Sequence, residues 1–204
     1  MTLVVRLKAF ASYLPGSLLV SHPFEVPGGI LTVISFINLK GGVGKTTTAV
    51  AVAEVLAKVH RKSVLFIDLD PQTNATINLI KEEEWQKRDE AGQTLAQLFQ
   101  DRVAAGLGQA PRFNLDDAIV KQVSTIDGGI ARLDLLPSSL KLINIQEKVG
   151  AASFADDYKD PRDILKIALE PAVERYDYII YGETYESFEG LTREIIARCN
   201  APKV

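Results

Sequence analysis

Lys40-Gly41-Gly42-Val43-Gly44-Lys45-Thr46-Thr47 packs two ammonium groups, three glycines and two hydroxyls into eight consecutive residues. That mixture suits a chain of phosphates. Glycines let backbone N–H groups turn inward and approach phosphate oxygens with no Cβ in the way. Lys45 can reach the β- and γ-phosphates, and the Thr46 hydroxyl can ligate Mg²⁺. A second chemical cluster, Asp68-Leu69-Asp70-Pro71-Gln72, supplies two carboxylates.

Each cluster needs a particular scaffold, and the neighbouring residues provide it. Thr32-Val33-Ile34-Ser35-Phe36-Ile37 is β-branched and aromatic, and short enough for a buried strand. Thr46 to Val59 reads as a helix with Ala, Val and Leu over much of its surface, so it must be covered on most sides. Strand, Gly-rich turn and helix are the context of a phosphate-binding loop, where the first helical turn adds free N–H donors and the positive end of its dipole. Ser63 to Ile67 forms the next strand and ends in the acids. Carboxylates there sit at the carboxyl edge of a parallel sheet, where such folds bind ligands. The fold class is therefore α/β.

The glycine box departs from G-x-x-x-x-G-K-T: the first glycine slot is Leu39, and Lys40 stands directly before the glycines. In this it resembles the deviant Walker A box of the ParA/MinD family of P-loop ATPases, nearest to the ParA-type partition proteins. The resemblance implies a P-loop NTPase-like fold, a mostly parallel sheet flanked by helices, with ATP and Mg²⁺ as cofactors. It implies that Lys40, Gly41, Gly42, Val43, Gly44, Lys45, Thr46 and Thr47 bind nucleotide, and that Lys40 reaches across an ATP-held homodimer to the partner's nucleotide. Asp68-Leu69-Asp70-Pro71-Gln72 resembles the family's D-x-D-P-Q switch. By that resemblance Thr46 and Asp68 serve the metal, Asp70 orients or activates the attacking water, and Gln72 and Asn74 shape the switch. Catalysis would rest on Asp70, Lys40 and Lys45. Without the resemblance, the acids read equally well as a turn capping a helix from Asn74 to Ile80.

The bulk composition narrows the class. Hydrophobic residues make up 47% and charged residues 24% of 204, which is ordinary for a globular domain. A net charge of −3 gives no global attraction to nucleic acid or anionic membrane, so any DNA binding must come from a local patch. One cysteine, Cys199, excludes an intrachain disulfide framework and fits a reducing, cytoplasmic setting. It also excludes the cluster ligands of a nitrogenase-iron-protein-like reductase. His22 and His60 are isolated from other ligand types. No apolar run reaches the length of a membrane span, and no basic amphipathic helix of the MinD kind closes the chain.

Residues 1–29 are broken by Pro15, Pro23, Pro27 and Gly28-Gly29, and read as a poorly ordered leader, with the ATPase-like domain at 30–204. Residues 81–90 are a charge run with Glu83–Lys87 and Glu84–Arg88 at i,i+4, the pattern of a solvated helix face. Trp85 within it is either a partner contact or folded back on the domain. Residues 94–99 and 115–120 read as short helices, with a Gly/Pro-bearing insertion at 104–112 between them. Leu133-Asp134-Leu135-Leu136-Pro137-Ser138-Ser139 reads as strand then turn and resembles the family's equivalent segment, with Ser138 or Ser139 capping a helix that runs through Val149. Asp160-Pro161 opens a further helix, which Pro171 kinks or divides at Glu170.

Near the C-terminus the resemblance breaks. Tyr176-Asp177-Tyr178-Ile179-Ile180 looks like the family's Walker B strand, yet it continues into Tyr181-Gly182-Glu183, and Tyr181 is the slot nearest to the expected Asp. A phenol carries no charge at neutral pH, so metal binding and hydrolysis should suffer more than the phosphate grip. Glu183 is the nearest replacement acid. The chain looks like a family member with an internal stretch removed and a shortened C-terminus, with fewer strands and an open sheet edge. The expected function is an ATP-dependent dimer that positions plasmid, chromosome or other cargo, with a ParB-like stimulating partner. Nonspecific DNA binding, and with it nucleoid association, would survive only where its usual surface does. The competing expectations are a nucleotide-binding or dimerisation module without turnover, a nonfunctional deleted relative, and a structural scaffold.

Overall fold

The computed structural model describes residues 18–26, 29–37, 44–105, 110–145 and 161–182. Five strands form one sheet: β1 (Leu18–Val26), β2 (Gly29–Ile37), β3 (Val64–Asp68), β4 (Leu133–Leu136) and β5 (Tyr178–Gly182). Their order is β1-β2-β5-β3-β4. β5 is parallel to both β2 and β3, and β3 is parallel to β4. The parallel strands are apolar on both faces, as strands covered by helices on both sides must be, and every residue of β3, β4 and β5 is buried.

Alternation sorts the side chains into two cores. On one face Ile34, Val64, Phe66 and Ile180 meet Ala49, Ala53 and Leu56 of α1 (Lys45–Lys58) and Ala75 and Leu79 of α2 (Asn74–Leu79). On the other, Leu65, Ile67, Ile179 and Tyr181 meet Leu95 and Phe99 of α4 (Leu95–Ala105) and Leu165 and Leu169 of α6 (Pro161–Leu169). Small residues on α1 let that helix lie close to the sheet. Two further helices are α3 (Glu82–Glu90) and α5 (Leu115–Ala118), and residues 141–145 are also helical. α3 buries none of its residues and carries the Arg88–Glu84 ion pair at 3.1 Å. Its Trp85 folds back, donating from Nε1 to the carbonyl of Ser138 at 3.0 Å.

The outer side of β4 is covered by residues 120–123, which bond Leu133 and Leu135 through the backbone. The other end of the sheet differs from the sequence expectation. Leu18–Val26, assigned above to a poorly ordered leader, is a strand antiparallel to β2, with Leu18 opposite Ile37 and Val26 opposite Gly29. It lies along the side of β2 away from β5. Pro23, read as a breaker, is tolerated because an edge strand can spare one ladder donor. Pro171 acts as expected: α6 ends at Leu169 and passes into a 3₁₀ turn, Glu170–Arg175.

Candidate phosphate and switch site

Lys40, Gly41, Gly42 and Val43 lie outside the described residues. The description resumes at Gly44, whose φ of 79° and ψ of 20° place it in the left-handed region, with open space where a Cβ would stand. Glycine is needed there for conformation rather than for room. Lys45, Thr46 and Thr47 then form the first turn of α1, and the first bond of the helix runs from Thr48 N to Gly44 O at 2.9 Å. Among the described residues no side chain caps this terminus, and its first turn contains no acid. The helix therefore presents its N–H groups and positive end without an internal anion to neutralise them. A phosphate fits that end, with the Thr46 hydroxyl in the same turn to meet a phosphate-bound cation.

The acids of the switch stand at the carboxyl end of β3, on the same sheet edge. Asp68 is completely buried. Its Oδ2 accepts from Thr76 twice, from the backbone N at 2.8 Å and from Oγ1 at 2.7 Å, and its Oδ1 accepts from Asp70 N at 3.2 Å. Burial pushes the carboxyl up to about 7; the two Thr76 donors pull it back, and the negative charge of Asp70 adds to the rise. The geometry ties Asp68 to α2, a role that its position in the switch pattern did not disclose.

Asp70, also buried, ties the loop together. Its Oδ1 accepts from Gln72 N at 2.9 Å and its Oδ2 from Asn74 Nδ2 at 3.3 Å, so both residues bond the Asp70 carboxylate. Thr73 takes a left-handed φ of 58° just before α2, a strained position for a β-branched residue. From the far side, Ser138 braces the same segment: its hydroxyl donates to Asp70 O at 2.6 Å and its N–H donates to Thr76 Oγ1 at 3.0 Å. The sequence offers Ser138 or Ser139 as a helix cap. Ser139 takes that role, accepting from Lys141 N at 3.0 Å. Nothing in the spacing pointed to Thr76, because its partners meet it only when α2 comes against the end of β3 and the loop after β4.

Strand β5 runs between β2 and β3, so the slot left without an acid is central to this edge. Register pairs Ile67 with Tyr181 and Asp68 with Gly182. Tyr181 is buried in the core beneath α4 and α6, on the face opposite α1. The position beside Asp68 on the α1 face is Gly182, where a Cβ would lie 2.9 Å from Phe66 Cζ. Glu183 lies outside the described residues.

A parallel α/β sheet with a glycine-led helix N-terminus and a paired-acid switch on one edge defines the P-loop nucleotide-binding class. The family model described as an AAA domain matches residues 31–198. The sporulation initiation inhibitor protein Soj of Bacillus subtilis is 31% identical over 150 residues, covering 72% of this chain and 47% of Soj. The chromosome partitioning protein ParA of Myxococcus xanthus is 32% identical over 150 residues, covering 72% of this chain and 42% of that protein. Among solved structures, a candidate plasmid partition protein of Borrelia burgdorferi B31 bound to AMPPNP superposes with a TM-score of 0.55 at 25% identity, covering 78% of this chain and 54% of that one. The chain belongs to the ParA-type family of P-loop ATPases. It spans about half the length of the curated relatives it matches. Among the described residues, no helix is long and apolar enough to cross a membrane.

Proposed function

We propose that this chain binds Mg-ATP through residues 40–47 and uses it to form a homodimer in the partitioning or positioning of plasmid, chromosome or other cargo. The observation that carries the reading is the uncapped, acid-free N-terminus of α1 after Gly44, set on the same sheet edge as Asp68 and Asp70. Lys45 and the first-turn N–H groups take the β- and γ-phosphates, and Lys40 takes the partner's nucleotide across the dimer. Thr46 and Asp68 would hold the cation that accompanies ATP, which would neutralise charge on the phosphates. Asp70, held by Gln72 and Asn74, faces the attacking water. A ParB-like protein stimulates release, and nonspecific DNA is the track where the chain retains a surface for it.

A second reading is favoured by one observation. Tyr181 points into the opposite core and Gly182 has no side chain, so β5 brings no carboxylate to the edge. In that reading the chain binds nucleotide and dimerises without turnover. Calorimetry with Mg-ATP, sizing with and without nucleotide, and phosphate release separate the two. Release above that of Lys45→Ala, lowered by Asp70→Ala, supports the ATPase. Binding and dimerisation with release equal to Lys45→Ala support the non-hydrolysing module. No calorimetric signal with Mg-ATP overturns both.

A further inference from the structure

The opposite edge of the sheet carries a cavity of about 420 Å³, within the range of small-ligand sites. Its polar lining is Ser63, Lys121, Arg132, Asp134, Arg175 and Tyr176. Ser63 and Arg132 directly precede β3 and β4, and Tyr176 stands two residues before β5. The cavity therefore opens at the amino ends of strands whose carboxyl ends hold the switch. Five-residue strands put the two edges roughly 15 Å apart.

The cations here are arranged rather than scattered. Tyr176 OH donates to Asp134 Oδ2 at 2.7 Å, and both residues are buried. Lys121 Nζ donates to that same oxygen at 2.8 Å and to Tyr176 OH at 3.1 Å. Gln122 N holds the other Asp134 oxygen at 3.1 Å. The ammonium is thus pinned by a buried acid and phenol and keeps a third N–H for another acceptor. Arg175 is steadied by Asp116 at 2.5 Å and keeps further donors in its fork. Arg132 is exposed and has no ion-pair partner among the described residues. With the Lys62–Asp177 pair beside Ser63 counted, four cations stand against Asp116, Asp134 and Asp177, a surplus of one positive charge on a chain whose net charge is −3.

We propose that this cavity binds a small phosphate-class dianion at a site separate from the nucleotide cradle. Arg132 and Arg175 supply guanidinium forks, whose planar donors match tetrahedral phosphate oxygens, and Lys121 supplies a fixed point charge. Three donors from three separate segments suit a tetrahedral anion better than a planar carboxylate.

The test uses the full chain carrying Lys45→Ala, which disables the cradle, titrated calorimetrically with inorganic phosphate and with pyrophosphate. The expected result is saturable binding of one or both, weakened tenfold or more by adding Arg132→Ala. Melting temperature with no anion present should be unchanged by Arg132→Ala, because that side chain is exposed. Absence of saturable binding in Lys45→Ala overturns the proposal, as does binding that Arg132→Ala leaves intact. A third arm uses a short DNA duplex. Arg132-dependent duplex binding that pyrophosphate does not displace assigns the patch to nucleic acid and overturns the small-ligand site.

Discussion

Thr76 and Asp68 form a two-donor clasp: one threonine gives both its backbone N–H and its hydroxyl to a single carboxylate oxygen, at 2.8 and 2.7 Å. The same hydroxyl accepts from Ser138 N at 3.0 Å, so one side chain fastens the end of β3 to α2 and to the loop after β4. The clasp lies wholly inside the protein, where each lost partner leaves a polar group without water to replace it.

Thr76→Val keeps the shape and removes the hydroxyl. It strips one donor from Asp68 and leaves Ser138 N unpaired, so a loss of about 1–3 kcal/mol is expected, the range for a buried polar group left without its partner. Urea denaturation of the two proteins measures it. A midpoint within error of the parent would show that the clasp does not hold the switch.

Asp68 also sets a pH dependence. Its carboxyl is raised from 3.8 to about 7 in the folded protein, chiefly by burial. Between those values the folded state keeps a proton that the unfolded chain has released, so rising pH favours unfolding through this group. Its contribution is fully present below the unfolded value and is lost as pH climbs through the folded one. Asp68→Asn stays neutral throughout. The melting temperature of the parent relative to Asp68→Asn should therefore fall as pH rises from about 4 to about 8. Parallel curves for the two proteins would contradict the buried, neutral acid.

Restoring an acid at the end of β5 should fail by either route. Gly182→Asp drives a Cβ to within 2.9 Å of Phe66, itself fully buried, and should cost about 1–3 kcal/mol in overpacking. Tyr181→Asp places a carboxylate in the apolar core under α4 and α6, where no water reaches it. Both variants should melt below the parent and release no more phosphate than it does. A gain in phosphate release by Gly182→Asp would show that Phe66 gives way and that the slot is functional.

Ser35 offers a contrast. Its hydroxyl is fully buried on β2, and its Oγ finds no partner among the described residues. Removing a polar atom that gains nothing in the fold should be neutral or should stabilise, by up to about 1 kcal/mol. Ser35→Ala, compared with the parent by denaturant titration, checks this. A clear loss of stability would reveal a role for the hydroxyl in the site.

The α1 helix, the acids after β3 and the strand at Leu133–Leu136 were legible from local pattern, because glycine spacing, apolar runs and strand-ending carboxylates are properties of short segments. The break at Pro171 was legible for the same reason. The partners of Asp68 were not: Thr76 lies on another element and meets the acid only through packing. The strand at Leu18–Val26 was hidden by its proline, since a breaker in the middle of a sheet is acceptable at its border. The apolar run alone puts the slot nearest to an acid at Tyr181, whereas pairing along β5 sets Gly182 beside Asp68. That single step moves the slot to Gly182 and to the other face of the sheet.

β2 and β3 never bond one another; the strand that joins them, β5, is the last of the five along the chain. Without β5 the pairings of the sheet fall into two separate groups, the hairpin and β3 with β4. Closure of so long a loop makes the final seam slow to form. During translation the glycine-led helix and the acidic switch are therefore made early but are locked into one frame only when β5 arrives.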